Sequence, residues 1–250
     1  MTDRTERAVS EALGFVLVFA IIISMVGLVY ASGLSGLQDA RDAERIENAE
    51  RAFDVLAHNM EDLSHRNAPS RATEIKLADA QIGLDSPAEI NISTEQVGGP
   101  PNANFSTVVN TRPITYDIGS NSAVVYETGA VIREDGAASA MKRSPGLRLS
   151  DSGTVIPIID ISTSNPGKVG GSTTVLVRAD QVSSEVLFSN TSGSWDTWLN
   201  VTSTRADAWH RYLDKFESTS CTLSGDEVSC NFTTDRLYIV DYRIRVDIEQ

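Results

Sequence analysis

The chain has 250 residues and a formal net charge of −13, from 34 acidic and 21 basic side chains. That balance excludes nucleic acid as the natural partner, because phosphate contacts need a cationic surface. Only Lys76, Lys142, Lys168 and Lys215 are lysines; acid-rich, lysine-poor surfaces suit near-saturated salt, where screening over about 3 Å at 1 M relieves self-repulsion, and an ordinary acidic solvated surface has the same composition.

Residues 1–8 form a short leader carrying Arg4 and Arg7. Ala12 to Ala31 follows, twenty residues without a charge. At about 1.5 Å rise per residue it makes a helix of roughly 30 Å, the thickness of a bilayer's hydrocarbon core. In lipid each backbone polar group must be paired within the segment, so one isolated span is helical. Three readings compete: a cleaved secretory signal ending near Val29-Tyr30-Ala31, a plain anchor, and a third set by the residues just before the span. The apolar run is longer than the usual h-region of about 7–15 residues, which counts against the first.

Those preceding residues are Arg7-Ala8-Val9-Ser10-Glu11. A charged leader, a small residue, a carboxylate and then an apolar helix resembles the class III signal peptide of type IV pilins and archaellins. The wording RAVSEALGFVLVF is similar to the N-termini of pilin-like proteins of halophilic archaea. The resemblance implies a processing site at Arg7, Ala8 and Val9, with a prepilin peptidase cutting between Ala8 and Val9. It also implies that the apolar helix stays on the mature protein and contacts the membrane or other pilin-like subunits. Glu11 would become the third mature residue, where the bacterial pattern has its carboxylate at the fifth. Beside a filament or membrane contact, Glu11 has a plainer role at headgroup level, capping a helix start whose dipole favours negative charge. Arg4 and Arg7 before the span balance Arg41 and Arg45 after it, so the positive-inside count does not set orientation. A short inner tail and a large exterior domain fit the other signals better.

Beyond Gly33 and Gly36 the pattern turns amphipathic. Ile46, Ala49, Phe53, Leu56, Ala57, Met60 and Leu63 recur at three and four residues, with charges between them. This predicts one apolar stripe on a charged helix. No proline stands between Val9 and Ala68, so one helix is predicted over 9–66, stopped before Asn67-Ala68-Pro69. The stripe either docks the chain's own head domain or forms a stalk or homomeric coiled coil.

From Arg71 the period becomes two. Strands are predicted at Ala72–Leu77, Ala88–Ser93, Ser106–Val109, Ile114–Ile118, Ser122–Glu127, Ala130–Glu134, Thr154–Ile161, Thr173–Ala179, Glu185–Ser189 and Leu237–Ile248. One helix, Arg205–Phe216, interrupts them, capped by Ser203 or Thr204, with Trp209, Tyr212, Leu213 and Phe216 facing the sheet. The fold class is α+β: a long N-terminal helix, then a mainly antiparallel sheet or sandwich over 67–250 with one added helix.

Cys221 and Cys230 flank Ser224-Gly225-Asp226, which is turn chemistry. A hairpin there sets the two cysteines opposite each other, close enough to bond, and a disulfide suits an oxidising exterior. Asn-x-Ser/Thr occurs at Asn91, Asn104, Asn190, Asn200 and Asn231, all after the span, as in a glycosylated exterior domain. Trp195 and Trp198 are either a sugar-stacking platform or sheet core. Asp207 and His210 share a helix face as a surface pair. Nucleophile elbows, phosphate loops, zinc spacings and dinucleotide fingerprints are missing from the sequence, so no enzyme activity, cofactor or metal is expected. The expected function is a membrane-anchored, pilin-like structural or accessory subunit at the archaeal cell surface. The alternative is a single-span surface protein whose β domain binds a partner and never polymerises.

Overall fold

The computed structural model describes residues 3–66, 68–100, 103–119 and 121–250, with the side chains of residues 3–12 and Ser35 outside the description. The side chains of the processing residues Arg7, Ala8 and Val9, and of Glu11, therefore lie outside the description. The chain divides into two compact units, Met1–Glu44 and Arg45–Gln250.

The first unit is the leading part of helix α1, Asp3–Arg66. From Leu13 onward its described large apolar side chains are exposed, from 45% at Leu34 to 73% at Phe15 and Leu28. Ser24 Oγ donates to the Ala20 carbonyl at 2.7 Å and Ser32 Oγ to that of Val29 at 3.2 Å. Both hydroxyls are thus satisfied by their own helix, as an apolar solvent requires. The helix is long and apolar enough to cross a membrane.

In the second unit α1 continues with its stripe turned inward. Phe53, Met60 and Leu63 are fully buried, and Ile46, Ala49, Leu56 and Ala57 are buried with them. The stripe packs into the chain's own core against Ile75, Ile82, Tyr116, Val177 and Ile244, so it does not form a free stalk. Phe53 meets Tyr116 edge-on at 6.3 Å. The charged flanks reach the sheets through Arg45–Asp79 at 2.8 Å, Arg143–Asp54 at 2.7 Å and Arg143–Glu61 at 2.9 Å. The helix ends where the Ala68 amide donates back to the Asp62 carbonyl, ahead of Pro69.

The strands, in chain order, are β1 (Ser70–Lys76), β2 (Ala80–Leu84), β3 (Ala88–Gln96), β4 (Asn104–Thr111), β5 (Ile114–Asp117), β6 (Ser122–Glu127), β7 (Ala130–Asp135) and β8 (Ala138–Arg143). They continue as β9 (Thr154–Ser162), β10 (Val169–Gly171), β11 (Thr174–Asn190), β12 (Trp195–Thr202), β13 (Ser220–Ser224), β14 (Glu227–Thr234) and β15 (Leu237–Glu249), with helix α2 (Ala206–Leu213) between β12 and β13. Among the described residues they form three sheets, ordered β1-β11-β15-β9, β10-β2-β5-β6-β7-β8 and β13-β14-β12-β3-β4. All named pairings are antiparallel except β15 with β9.

Two apolar clusters fill the unit. One lies under α1; the other lies between α2 and the five-stranded sheet. The long strand β15 serves both, with Ile244 and Val246 in the first and Leu237 and Ile239 in the second. The pairing of β11 with β15 shifts register between Gln181/Ser183 and Val186/Phe188. Those bulges explain why sequence periodicity divides β11 into two strands: its middle, ADQVSSE, does not alternate. β8 and β10 are edge strands with few β-branched or aromatic residues, and no strand is predicted at either. In α2 the predicted apolar face is kept, with Trp209 and Leu213 fully buried. The predicted cap is not: Arg205 is the N-cap and makes no side-chain cap bond. Ser203 Oγ instead accepts from the Arg205 amide at 3.1 Å.

Candidate functional site

The five-stranded sheet has one face on the core and one toward solvent. Period two sends Ile90, Ile92, Leu199, Val201, Val228, Cys230 and Phe232 inward. The alternate residues form the outer face. Across it, Asn200 stands opposite Asn91, and Trp198 stands between Ser93 and Asn231. Ser93 in turn faces Ser106, and Glu95 faces Asn104. Four of the five sequon asparagines, Asn91, Asn104, Asn200 and Asn231, therefore share one face. In a strand, Asn and Ser/Thr two residues apart point the same way, and the residue between them points into the core. Here those inward residues are Ile92, Phe105, Val201 and Phe232. Asn190 is elsewhere, at the end of β11, where its Oδ1 accepts from the Ser192 amide at 2.8 Å.

Trp195 and Trp198 do not form a joint platform. They are three apart on one strand, hence on opposite faces. Trp195 is buried, meets Phe188 edge-on at 5.0 Å and donates from Nε1 to the Ser192 carbonyl at 3.3 Å. Trp198 is 41% exposed. It borders a shallow trough of about 460 Å³ whose polar lining includes Ser93, Glu95, Asn104 and Ser106. At the other edge of the sheet Cys221 and Cys230 are register partners joined by a disulfide.

Behind the sheet lies a network that sequence reading missed. Arg205, 4% exposed, reaches Glu127 at 3.2 Å, Asp85 at 3.0 Å and Glu134 at 3.0 Å. Glu127 also accepts from Trp209 Nε1 at 2.6 Å and from Ser203 Oγ at 3.0 Å. Burial holds the Glu134 carboxyl above its ordinary range, against the pull of Arg205. At Asp85 burial works in the same direction, but the Ser86 amide and the Arg205 guanidinium outweigh it and hold the carboxyl low. The network fastens the start of α2 to the end of β6 through Glu127, to β7 through Glu134 and to the loop after β2 through Asp85. Asp207 pairs with Arg211 at 3.0 Å and accepts from Ser139 Oγ, so its partner is not His210.

Residues 7–247 match DUF7289, a family of unknown function. The chain belongs to DUF7289. An uncharacterised protein of Archaeoglobus fulgidus is similar over 79 residues, at 27% identity, covering 32% of this chain and 26% of that protein. The DUF7289 chain thus matches about a quarter of that archaeal relative's length. No solved structure matches it.

A second concavity in the DUF7289 domain, about 200 Å³, opens beside the β6–β7 turn and is lined by Ser64, His65, Tyr126, Thr128, Arg143 and Pro157 among others. Thr128 (φ +40°) and Gly129 (φ +93°) form this two-residue turn. A β-branched residue in the left-handed region is strained; the Ile159 amide, donating to Thr128 Oγ1 at 3.0 Å, helps hold it. The Tyr126 hydroxyl is buried, with no hydrogen-bond partner in good geometry among the described residues. Burial pushes its pKa up, while Arg143 and the nearby Gly129 amide pull the other way. Among the described residues, no group of three or more His, Cys, Asp or Glu is placed to hold a metal ion. The polar, aromatic-lined outer face of the five-stranded sheet is the better candidate for recognition.

Proposed function

We propose that this protein is a single-span cell-surface protein, non-enzymatic, with its β-rich head outside the cell and its asparagine-bearing sheet face glycosylated. The observation that carries the reading is the contrast within α1: every large apolar side chain from Leu13 to Tyr30 is exposed, on a helix whose later stripe is buried. Leaving one Leu- or Phe-sized side chain in water costs about 1.5–3 kcal/mol, so a run of this length requires lipid or neighbouring apolar helices. The disulfide supports an oxidising exterior. Orientation and glycosylation are inferred from it and from the placement of the sequons.

The finer reading is pilin-like. A prepilin peptidase would cut after Ala8 and release Val9, and the apolar helix would pack with those of similar subunits in a type IV pilus-like system of a halophilic archaeon. Gly14, Gly27, Gly33 and Gly36 have open space around them, and small residues of this kind let membrane helices approach closely. A lone anchored binding protein is the second reading, favoured by the exposed Trp198 on a polar sheet face. Mass spectrometry of the native protein tests processing: the pilin-like reading expects a mature chain beginning at Val9, and an intact leader or a start near Ser32 overturns it. Protease protection in right-side-out vesicles tests orientation, and finding the protein in sheared filaments distinguishes polymer from lone anchor.

A further inference from the structure

We propose that the trough beside Trp198 is a carbohydrate subsite that takes one pyranose ring of a neutral glycan. Of the three tryptophans, Trp195 and Trp209 are buried and only Trp198 shows its indole to solvent. A large aromatic left exposed on a face that is polar apart from Val108 marks a recognition surface. The indole face is the negative side of a quadrupole, and the C–H-bearing face of a pyranose is apolar and slightly positive, so the two stack. The groups around the ring complete the match. Glu95 offers carboxylate acceptors to sugar hydroxyls, Asn104 offers both a donor and an acceptor, and Ser93 and Ser106 provide hydroxyls. Among the described residues no Lys or Arg lines the trough, and Glu95 is acidic, which disfavours a phosphate, sulfate or uronate ligand. The open, shallow form suits a ring laid flat on a sheet better than an enclosed small molecule.

Two sources carry the same chemistry. One is a glycan on this chain: Asn104 lines the trough, and Asn231 is the cross-strand partner of Trp198. The other is a glycan on another surface molecule. The first source depends on the exterior, glycosylated head proposed above; sugar recognition by the purified chain does not.

The test uses the full chain in detergent, made in a host without N-glycosylation, and passed over immobilised mannan, galactan, xylan and amylose. Retention on at least one polymer is expected. Trp198→Ala is expected to weaken it at least ten-fold and Trp198→Phe less, with the melting temperature little changed because the residue is 41% exposed and belongs to neither apolar cluster. Glu95→Gln should weaken it several-fold. A second arm compares glycosylated protein from the native host before and after enzymatic deglycosylation. If the sugar is the chain's own, Trp198 resists N-bromosuccinimide until the glycan is removed, and polymer binding appears only afterwards. If the sugar is foreign, both preparations bind and oxidise alike. No binding by the unglycosylated chain, together with no protection of Trp198 in the native one, overturns the proposal; so does binding that survives Trp198→Ala. Failure of membrane association would overturn the function proposed above, failure of leader cleavage would overturn its pilin-like form, and either would leave these measurements unaffected.

Discussion

Between Leu13 and Leu34, α1 carries apolar side chains around its whole circumference, and they are exposed; between Ile46 and Leu63 it carries them along one stripe, and they are buried. The backbone is helical in both stretches, so the difference lies in what each half meets. The later half finds its solvent inside its own chain, in the cluster with Tyr116, Val177 and Ile244. The earlier half finds none there and must be given one, by lipid or by other helices. Helical periodicity alone would rank the two alike; the width of the apolar surface separates them.

Substitutions can break or sharpen this contrast. Phe53→Ala should have the largest effect, lowering the head's stability by about 3–5 kcal/mol in thermal or denaturant unfolding, as expected for emptying a fully buried aromatic site. Val26→Arg should leave head unfolding unchanged but oppose insertion by about 2.5–3.5 kcal/mol, read as loss from the membrane fraction. An equal effect of both changes on head stability would abolish the distinction. Reducing Cys221–Cys230, which are nine residues apart, should lower head stability by about 2–3 kcal/mol, measured as a drop in Tm with dithiothreitol. Tyr126→Phe, beside Ser64 and His65 of the packed half, should raise stability by up to about 1 kcal/mol, because it removes a buried hydroxyl with no well-placed hydrogen-bond partner among the described residues. Phe19→Ala should move the head's Tm least, within about 0.5 kcal/mol, since that side chain is 56% exposed and has no part in the core.

Much of this architecture is legible in the residues. The stripe from Ile46 to Leu63, the stop before Pro69 and the alternation of β15 all have one dominant period. β12 is harder to see because Trp198 puts an apolar residue on the polar face, which breaks the pattern in WDTWLNVT. Once that segment is recognised as a strand, the three-residue spacing of Trp195 and Trp198 gives their opposite fates. The clustering of four sequons needed the strand order, which no local period carries. Arg205 was hidden for another reason: arginine is mostly exposed, and only its three carboxylate partners, brought from distant positions, make its burial tolerable.

The parallel pairing of β15 with β9 and its antiparallel pairing with β11 place the latest strand in the middle of its sheet. Both apolar clusters wait for it, one for Ile244 and Val246, the other for Leu237 and Ile239. Without β15 neither cluster is complete, so the head's interior closes only once that strand is seated.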